Sequence, residues 1–245
     1  AGTFWYHAHN KSWEQVGRGL YGPLIVEEAS PVFHQNNDIT LMLDDWRLDE
    51  DGALLGDFDA YMHEKQGGRI GNYVTVSGRP LGKTLDVMAG EPYRLRLINA
   101  ANARIFRMGV EQLRAHVLAI DGQPVPNEKT FVESITIAPA QRIDLTLVPH
   151  PGQTVAIRDL DGTLTMKSTA KDPVHLWRFR SIGTRPVTPL EAWPDNNSLP
   201  FPDLARARKV TLTMEGGSLA NAAPAIYQGK SVGIETLAMA KQTWK

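Results

Sequence analysis

Apolar and polar positions alternate with period two along much of the chain. The clearest runs cover residues 93–99, 104–108 and 142–147, where apolar side chains are assigned to one face and Arg, Asp or Thr to the other. Alternation of this kind is typical of a strand with one face on a core and the other in solvent. These three segments therefore predict half-buried strands of an antiparallel sheet.

Shorter apolar runs continue the same pattern between turn signals. Asp121-Gly122 and Asp161-Gly162 are dipeptides that favour hairpin turns. Strands are predicted at 39–43, 117–120, 155–158, 163–166 and 175–179. Helical patterns are confined to residues 234–241 and one turn within 58–64. Strands at this spacing, with frequent turns, predict an all-β sandwich or barrel.

Proline marks the main boundary. Five prolines lie between residues 181 and 206, and such a stretch predicts an extended connector. We expect residues 1–31 to end one domain, 32–180 to form a complete domain, and 207–245 to begin another. Because the chain starts at Ala1 in what reads as the middle of a strand, we expect it to be a piece of a longer protein.

Composition narrows the possible chemistry. The 26 Lys and Arg against 27 Asp and Glu give a net charge of −1, which lacks the basic excess of nucleic-acid or anionic-membrane partners. No segment approaches the roughly 20 apolar residues that a membrane span requires. Cysteine is absent, which excludes disulfides, thiolate nucleophiles, iron–sulfur clusters and thiolate-ligated metals within this chain.

His7 and His9 form the candidate metal site. In a strand, residues two apart project from the same face, with Cα atoms about 6–7 Å apart. Imidazole is a common ligand of copper and zinc, so the pair can chelate one ion or reach two neighbouring ions. An H-x-H in a chain with seven histidines is also typical of ordinary strand histidines. The spacing alone leaves these alternatives open.

The surrounding residues resemble a known family. Residues 2–9, GTFWYHAH, followed by residues 19–26, GLYGPLIV, resemble the second copper motif of multicopper oxidases and the strand that follows it. The segments LDDW, YRLRLINA, IDGQP and APAQRID are similar to the middle domain of bacterial three-domain enzymes of the laccase and cuprous-oxidase type. Residues 214–217, MEGG, resemble the opening of their third domain.

The resemblance implies cupredoxin-like Greek-key β-sandwich domains and a copper-dependent oxidase. It implies that His7 and His9 each bind one of the paired coppers in a trinuclear cluster that reduces oxygen to water. The reducing substrate would be a phenol, a related aromatic compound or cuprous ion, and the protein would be periplasmic or secreted. The other cluster ligands and those of the mononuclear copper are missing, because the remaining histidines are isolated and cysteine is absent.

Two alternatives stay open. One is a non-catalytic cupredoxin-fold scaffold of the periplasm, and the other is a chain that by itself binds copper weakly. Trp5 and Tyr6 lie beside the histidines, where the alternatives are to line the copper cluster or to pack, and packing is expected because they belong to a core strand. Asp44 and Asp45 resemble the acidic residues that relay protons in oxygen reduction, but as carboxylates ahead of a tryptophan at a strand end they are expected to be solvated.

Overall fold

A computed structural model describes most of the 245-residue chain. The described residues are 1–60, 63, 67–113, 115–125, 131–161, 174–187, 203–208, 226–227 and 230–231. The chain divides into two units. The first contains Ala1–Asp59 and Arg69–Asn196, and the second contains Ala60–Gly68 and Asn197–Lys245.

The first unit begins with a two-stranded antiparallel ribbon. Strand β1 (Gly2–His7) pairs with β2 (Tyr21–Val26), and the register sets Gly2 opposite Val26 and His7 opposite Tyr21. The link between them holds a short helix α1 (Ser12–Gln15) and a 3-10 turn (Val16–Arg18). We call this pair the β1–β2 ribbon.

Two further sheets form the body of the first unit. Their strands are β3 (Asp38–Trp46), β4 (Tyr73–Val76), β5 (Arg79–Pro80), β6 (Lys83–Met88), β7 (Tyr93–Asn99), β8 (Phe106–Glu111), β9 (Ala115–Ile120), β10 (Gln123–Pro124), β11 (Phe131–Val132), β12 (Ser134–Ile137), β13 (Arg142–Leu147), β14 (Thr154–Asp159) and β15 (His175–Ile182). The larger sheet has the order β10-β9-β13-β7-β3-β4-β5, with β11 also beside β9. The smaller has the order β12-β8-β14-β15-β6. A 3-10 turn (Gln35–Asn37) precedes β3.

The two sheets enclose one apolar core. The larger sheet contributes Leu43, Leu95 and Leu145, and the smaller contributes Phe106 and Phe179, all almost inaccessible to solvent. Strand β3 runs parallel to β7 and β6 runs parallel to β15, so long connections cross between non-consecutive strands. The predicted all-β sandwich is confirmed.

The predicted half-burial is wrong at the centre of the larger sheet. All seven residues of β7 are buried, including Arg94 and Arg96, and so are the last five of β13. The two arginines point away from the apolar core. On the opposite face of the sheet Arg94 donates to Glu28 and Arg96 donates to Asp38. The alternation is therefore between an apolar face and a buried ionic face. The residue pattern of a single strand does not distinguish a buried ionic face from a solvated polar face.

The strand predicted at 104–108 is confirmed from residue 106 onward but begins two residues later than expected. Strand β8 begins at Phe106, and the side chain of Arg104 is buried while that of Ile105 is exposed. Asp121-Gly122 forms the expected tight hairpin turn between β9 and β10, with both residues at positive φ.

The described part of the second unit includes a hairpin of β16 (Ile226–Tyr227) and β17 (Lys230–Ser231). The predicted strand at 163–166 and the predicted helix at 234–241 lie outside the described residues, as do residues 61, 62 and 64 of the turn predicted within 58–64. Among the described residues, no helix has the length and apolar character needed to cross a bilayer.

Candidate metal centre at the end of the first strand

His7 and His9 lie side by side at the end of the β1–β2 ribbon. Strand β1 ends at His7, so His9 lies beyond the regular pairing rather than inside the strand. The two imidazole rings are nonetheless stacked, with centroids 5.3 Å apart and planes 24° from parallel. The side chain of His7 is partly buried and His9 is exposed. The geometry brings the predicted pair together at a position open to solvent.

The hydrogen bond of His7 fixes which ring nitrogen is available. The Nδ1 atom lies 3.1 Å from the carbonyl oxygen of Ala8, and a carbonyl oxygen only accepts, so Nδ1 carries the proton. The Nε2 atom of the neutral ring then has a free lone pair. A backbone carbonyl that holds one imidazole nitrogen and leaves the other for a metal is a common arrangement around ligating histidines.

Aromatic rings pack against the buried side of His7. The Trp5 indole stacks on the His7 imidazole at 4.5 Å between centroids, and the Tyr21 ring meets Trp5 edge-on at 6.3 Å. Trp5 and Tyr21 also pack on a small cluster formed by Met42, Ile98 and Ala100. The packing role expected of Trp5 is confirmed, since this contact joins the ribbon to the larger sheet.

Tyr6 does not pack as expected. Its side chain projects from the opposite face of β1 and is 61% exposed. Strand geometry explains the difference, because successive residues point to opposite faces and the larger sheet covers only one of them.

Asp44 and Asp45 are buried, so the expectation that they form a solvated strand end is wrong. Strand β3 continues through both residues to Trp46, and the two carboxylates are 3% and 5% exposed. The Tyr21 hydroxyl donates a hydrogen bond to Asp44 Oδ2, and the backbone N–H of Asp45 donates to Asp44 Oδ1 at 2.7 Å. Burial raises the pKa of Asp44 to about 7, against the opposing effect of the Tyr21 hydrogen bond.

The two neighbouring carboxylates differ in their partners. Asp45 accepts from Arg104 Nε at 2.9 Å and from the backbone N–H of Gly71. Burial still raises the pKa of Asp45, although the Arg104 charge opposes it. Asp44 instead has a hydroxyl and a peptide N–H as its donors. Burial and the Asp44 charge together raise the pKa of Tyr21 well above its usual value, so its hydroxyl stays protonated.

A buried ionic cluster fastens the start of the ribbon to the larger sheet. The Thr3 hydroxyl donates to Asp144 at 2.6 Å and accepts from Arg96 Nη1 at 2.7 Å. Arg96 also donates from Nε and Nη2 to the two carboxylate oxygens of Asp38, at 2.7 and 2.8 Å. Arg94 donates to Asp38 and to Glu28, which follows β2. We call these six residues the ribbon anchor.

The electrostatics of the ribbon anchor differ from one carboxylate to the next. Burial acts to raise the pKa of Asp38, but hydrogen bonds from Arg96 and Arg94 outweigh it and lower that pKa. At Asp144 burial prevails over the Thr3 hydrogen bond and the arginine charges, and the pKa is raised. The anchor thus holds Asp38 firmly as an anion beside two arginines that reach it from the next strand.

Sequence reasoning did not identify Thr3, Tyr21 or Asp144 as neighbours of the candidate site. Thr3 and its partner Asp144 are far apart along the chain, as are Tyr21 and its partner Asp44, and only the folding of the strands brings them together. Among the described residues, no group of three or more His, Cys, Asp or Glu side chains is placed to hold a metal ion. Within the part of the chain that the structure describes, the predicted site consists of two imidazoles.

Family models match the chain in two places. One, described as multicopper oxidase, matches residues 37–159, and a second with the same description matches residues 1–31, which contain both histidines. The two matches together cover the sandwich and the ribbon.

Curated proteins and a solved structure are similar to the chain. Laccase-3 of Thanatephorus cucumeris is 31% identical over 58% of this chain and 26% of its own length. Cell division protein FtsP of Sodalis glossinidius is 31% identical over 64% of this chain and 33% of its own length. The crystal structure of a multi-copper oxidase from Pseudomonas thermotolerans aligns with a TM-score of 0.74 and 31% identity, covering 88% of this chain and 49% of that one. The chain spans about a third or less of the curated relatives.

Proposed function

Because the chain belongs to the multicopper oxidase family, we propose that His7 and His9 bind copper, each as a ligand of one of two neighbouring ions. The cupredoxin-like sandwich serves as the rigid body against which the ribbon packs. The observation that carries the proposal is the stacked histidine pair, whose His7 ring holds its Nδ1 proton on a backbone carbonyl and keeps Nε2 free.

The donor set suits copper. Neutral imidazole nitrogen is a good ligand for copper ions, and a parallel ring pair on one short segment needs little rearrangement to receive them. Trp5 covers one side of the His7 ring and limits its rotation. When bound, copper would supply electron transfer to oxygen, while this chain would supply two imidazoles and the packing that orients one of them.

The reaction of the whole protein is proposed from the family. A reducing substrate, either a phenolic or aromatic compound or cuprous ion, gives electrons that reduce oxygen to water. The zero cysteine count means that a mononuclear blue copper site would take its thiolate ligand from outside this chain. We infer an exported protein, in the periplasm or secreted, on the same family resemblance.

Copper titration of the chain tests the proposal. Cu²⁺ added to the apo chain should give an electron paramagnetic resonance spectrum with nitrogen hyperfine structure, and His7→Ala or His9→Ala should remove that signal. His150→Ala is a matched control, because His150 is exposed in the turn that follows β13. Equal binding by the wild type, His7→Ala and His9→Ala would overturn the assignment.

A scaffold function is the second candidate, and the similarity to cell division protein FtsP favours it. Measuring the copper content of the protein distinguishes the two functions. A correctly folded protein of full length that holds no copper after reconstitution would support the scaffold, whereas copper retained at His7 and His9 would support the oxidase.

A further inference from the structure

We propose that a pocket next to the ribbon anchor binds a small organic cation in which an ammonium group stands beside an uncharged oxygen acceptor. The pocket has a volume of about 430 Å³, within the roughly 300–1,000 Å³ of typical small-molecule sites. It lies at the end of the ribbon remote from the histidines, because Ile25 in its wall is opposite Thr3, whereas His7 is opposite Tyr21.

Strand pairing builds the polar side of the pocket. Strands β3 and β7 are parallel, and their register sets Asp38 beside Arg94 and Thr40 beside Arg96. Residues two apart share one face of a strand, so these four side chains lie together on the face of the sheet away from the apolar core. All four line the pocket.

The other side of the pocket is apolar. Ile25 near the end of β2, and Pro31 and Phe33 in the link to β3, line it. Phe33 is only 4% exposed, and the Arg94 guanidinium lies over its ring at 4.9 Å from the centroid. A ligand that fits this wall carries a small aliphatic group next to its polar atoms.

Arg94 has a donor that the protein leaves unused. Its side chain is 3% exposed, and both terminal nitrogens donate to Glu28, with a further bond from Nη2 to Asp38. The Nε atom is buried and has no hydrogen-bond partner within the described part of the chain. Because an unpaired buried donor is unfavourable, a ligand oxygen that reaches Nε gains a hydrogen bond.

The charges around the pocket favour a cation. Three carboxylates line it, those of Glu27, Glu28 and Asp38, against the two guanidinium groups of Arg94 and Arg96. Glu28 and Asp38 are already bound to the arginines, whereas Glu27 is exposed and has no ion pair among the residues that the structure describes. An ammonium group bonds well to such a carboxylate, and a second anion beside it is disfavoured. The ligand oxygen that pairs with Arg94 is therefore uncharged, as in an amide or a hydroxyl group.

Leucinamide is a probe with these features, and it is added to the ¹⁵N-labelled chain at about pH 6, where its α-amino group is protonated. Nuclear magnetic resonance resolves arginine Nε–H signals from those of the backbone. The Arg94 Nε–H signal should shift in a saturable way as leucinamide is added. An Arg94 signal that leucinamide leaves in place would mean that the pocket holds only water, and would reject the proposal.

Three analogues of the probe test each part of the ligand. N-acetyl-leucinamide lacks the charge, isopentylamine lacks the oxygen acceptor, and leucine replaces the amide by an anionic carboxylate. Each should bind at least about tenfold more weakly than leucinamide, as expected for one lost hydrogen bond to a charged group. Binding of N-acetyl-leucinamide or isopentylamine with the affinity of leucinamide would overturn the assignment.

A variant of Glu27 tests the carboxylate without disturbing the ribbon anchor. Glu27→Gln removes the charge of an exposed side chain and should weaken leucinamide binding by about tenfold. Glu50→Gln is the matched control, because Glu50 is an exposed glutamate in the turn after β3 and does not line the pocket. Equal affinities of the two variants would contradict a role for Glu27.

The outcome is separate from that of the proposed function. The titration contains no copper, and neither histidine lines the pocket. Failure of His7 and His9 to bind copper would leave leucinamide binding unaffected. Copper binding without a saturable shift at Arg94 would retain the proposed function and reject the pocket as a binding site.

Discussion

The Thr3 hydroxyl donates a hydrogen bond to the Asp144 carboxylate at 2.6 Å, across 141 positions of the chain. The same hydroxyl accepts from Arg96 at 2.7 Å, so one small side chain joins the ribbon to two strands of the larger sheet. Thr3 is fully buried four residues ahead of His7. The position of the histidine pair on the sandwich therefore depends on an ionic contact as well as on the packing of Trp5.

Thr3→Val should destabilise the first unit by about 1–3 kcal/mol, because it keeps the shape of the side chain but removes the buried hydroxyl that bonds to both Asp144 and Arg96. Urea denaturation followed by fluorescence measures the loss. Thr84→Val, on the exposed strand β6, is the control and should change stability by less than about 0.5 kcal/mol. Equal effects of the two substitutions would show that the contact contributes nothing.

Arg96→Met should cost about 3–5 kcal/mol, because it leaves the buried carboxylate of Asp144 without its charged partner and removes one of the two arginines that bind the partly buried Asp38. Arg180→Met removes an arginine that also binds an aspartate, Asp86, through two nitrogens, but whose side chain is 61% exposed. That second change should cost less than about 1 kcal/mol. Chemical denaturation of both variants at low salt distinguishes the two environments, and similar losses would contradict the importance given to burial.

Much of the sandwich could be predicted from the sequence, since local patterns specify its strands. The two-residue alternation of apolar and polar residues and the Asp121-Gly122 turn signal depend only on neighbouring residues. Together they predict the observed β9–β10 hairpin. The environment of the polar face could not be predicted in this way. Arg94 and Arg96 alternate with apolar residues as they would on a solvated strand, and only the carboxylates of other strands make their burial tolerable.

The candidate site shows the same division. The spacing of His7 and His9 on one strand indicates a ring pair, and the rings are adjacent even though β1 ends at the first of them. The hydroxyl partner of Asp44 is Tyr21, 23 residues away along the chain. Tyr21 lies on β2, and the sequence does not specify the register of β2 with β1. Without that register, a carboxylate ahead of a tryptophan looks solvated.

Gly90→Ala should be far more harmful than Gly152→Ala, although both glycines have positive φ, at 78° and 72°. An added Cβ at Gly90 would lie 2.1 Å from the carbonyl oxygen of Pro186, whereas one at Gly152 would meet no atom within 4 Å. Both variants should lose about 1–2 kcal/mol from the left-handed backbone conformation. A thermal-melting comparison isolates the additional loss at Gly90, and equal melting temperatures would argue against the close approach of the two backbones.

Asp44→Asn should change how the stability of the protein depends on pH. The pKa of Asp44 rises from its ordinary value of 3.8 to about 7 on folding, chiefly through burial. Between these two pH values the folded state binds more protons than the unfolded state, so the contribution of Asp44 to stability falls as pH rises from about 4 to 7. Asparagine does not ionise, so the variant lacks this loss.

The free energy of unfolding of Asp44→Asn, relative to wild type, should therefore increase by about 1–4 kcal/mol between pH 5 and pH 8. Taking the difference between the two proteins cancels the titration of the other acidic groups and of the histidines. Asp86→Asn is the control. The pKa of Asp86 is lowered by its hydrogen bond from Arg180, so its ionisation is complete below this pH range and the difference from wild type should stay constant. Denaturant titrations at both pH values provide the measurement, and a pH-independent difference for Asp44→Asn would mean that the buried carboxylate is already ionised at pH 5.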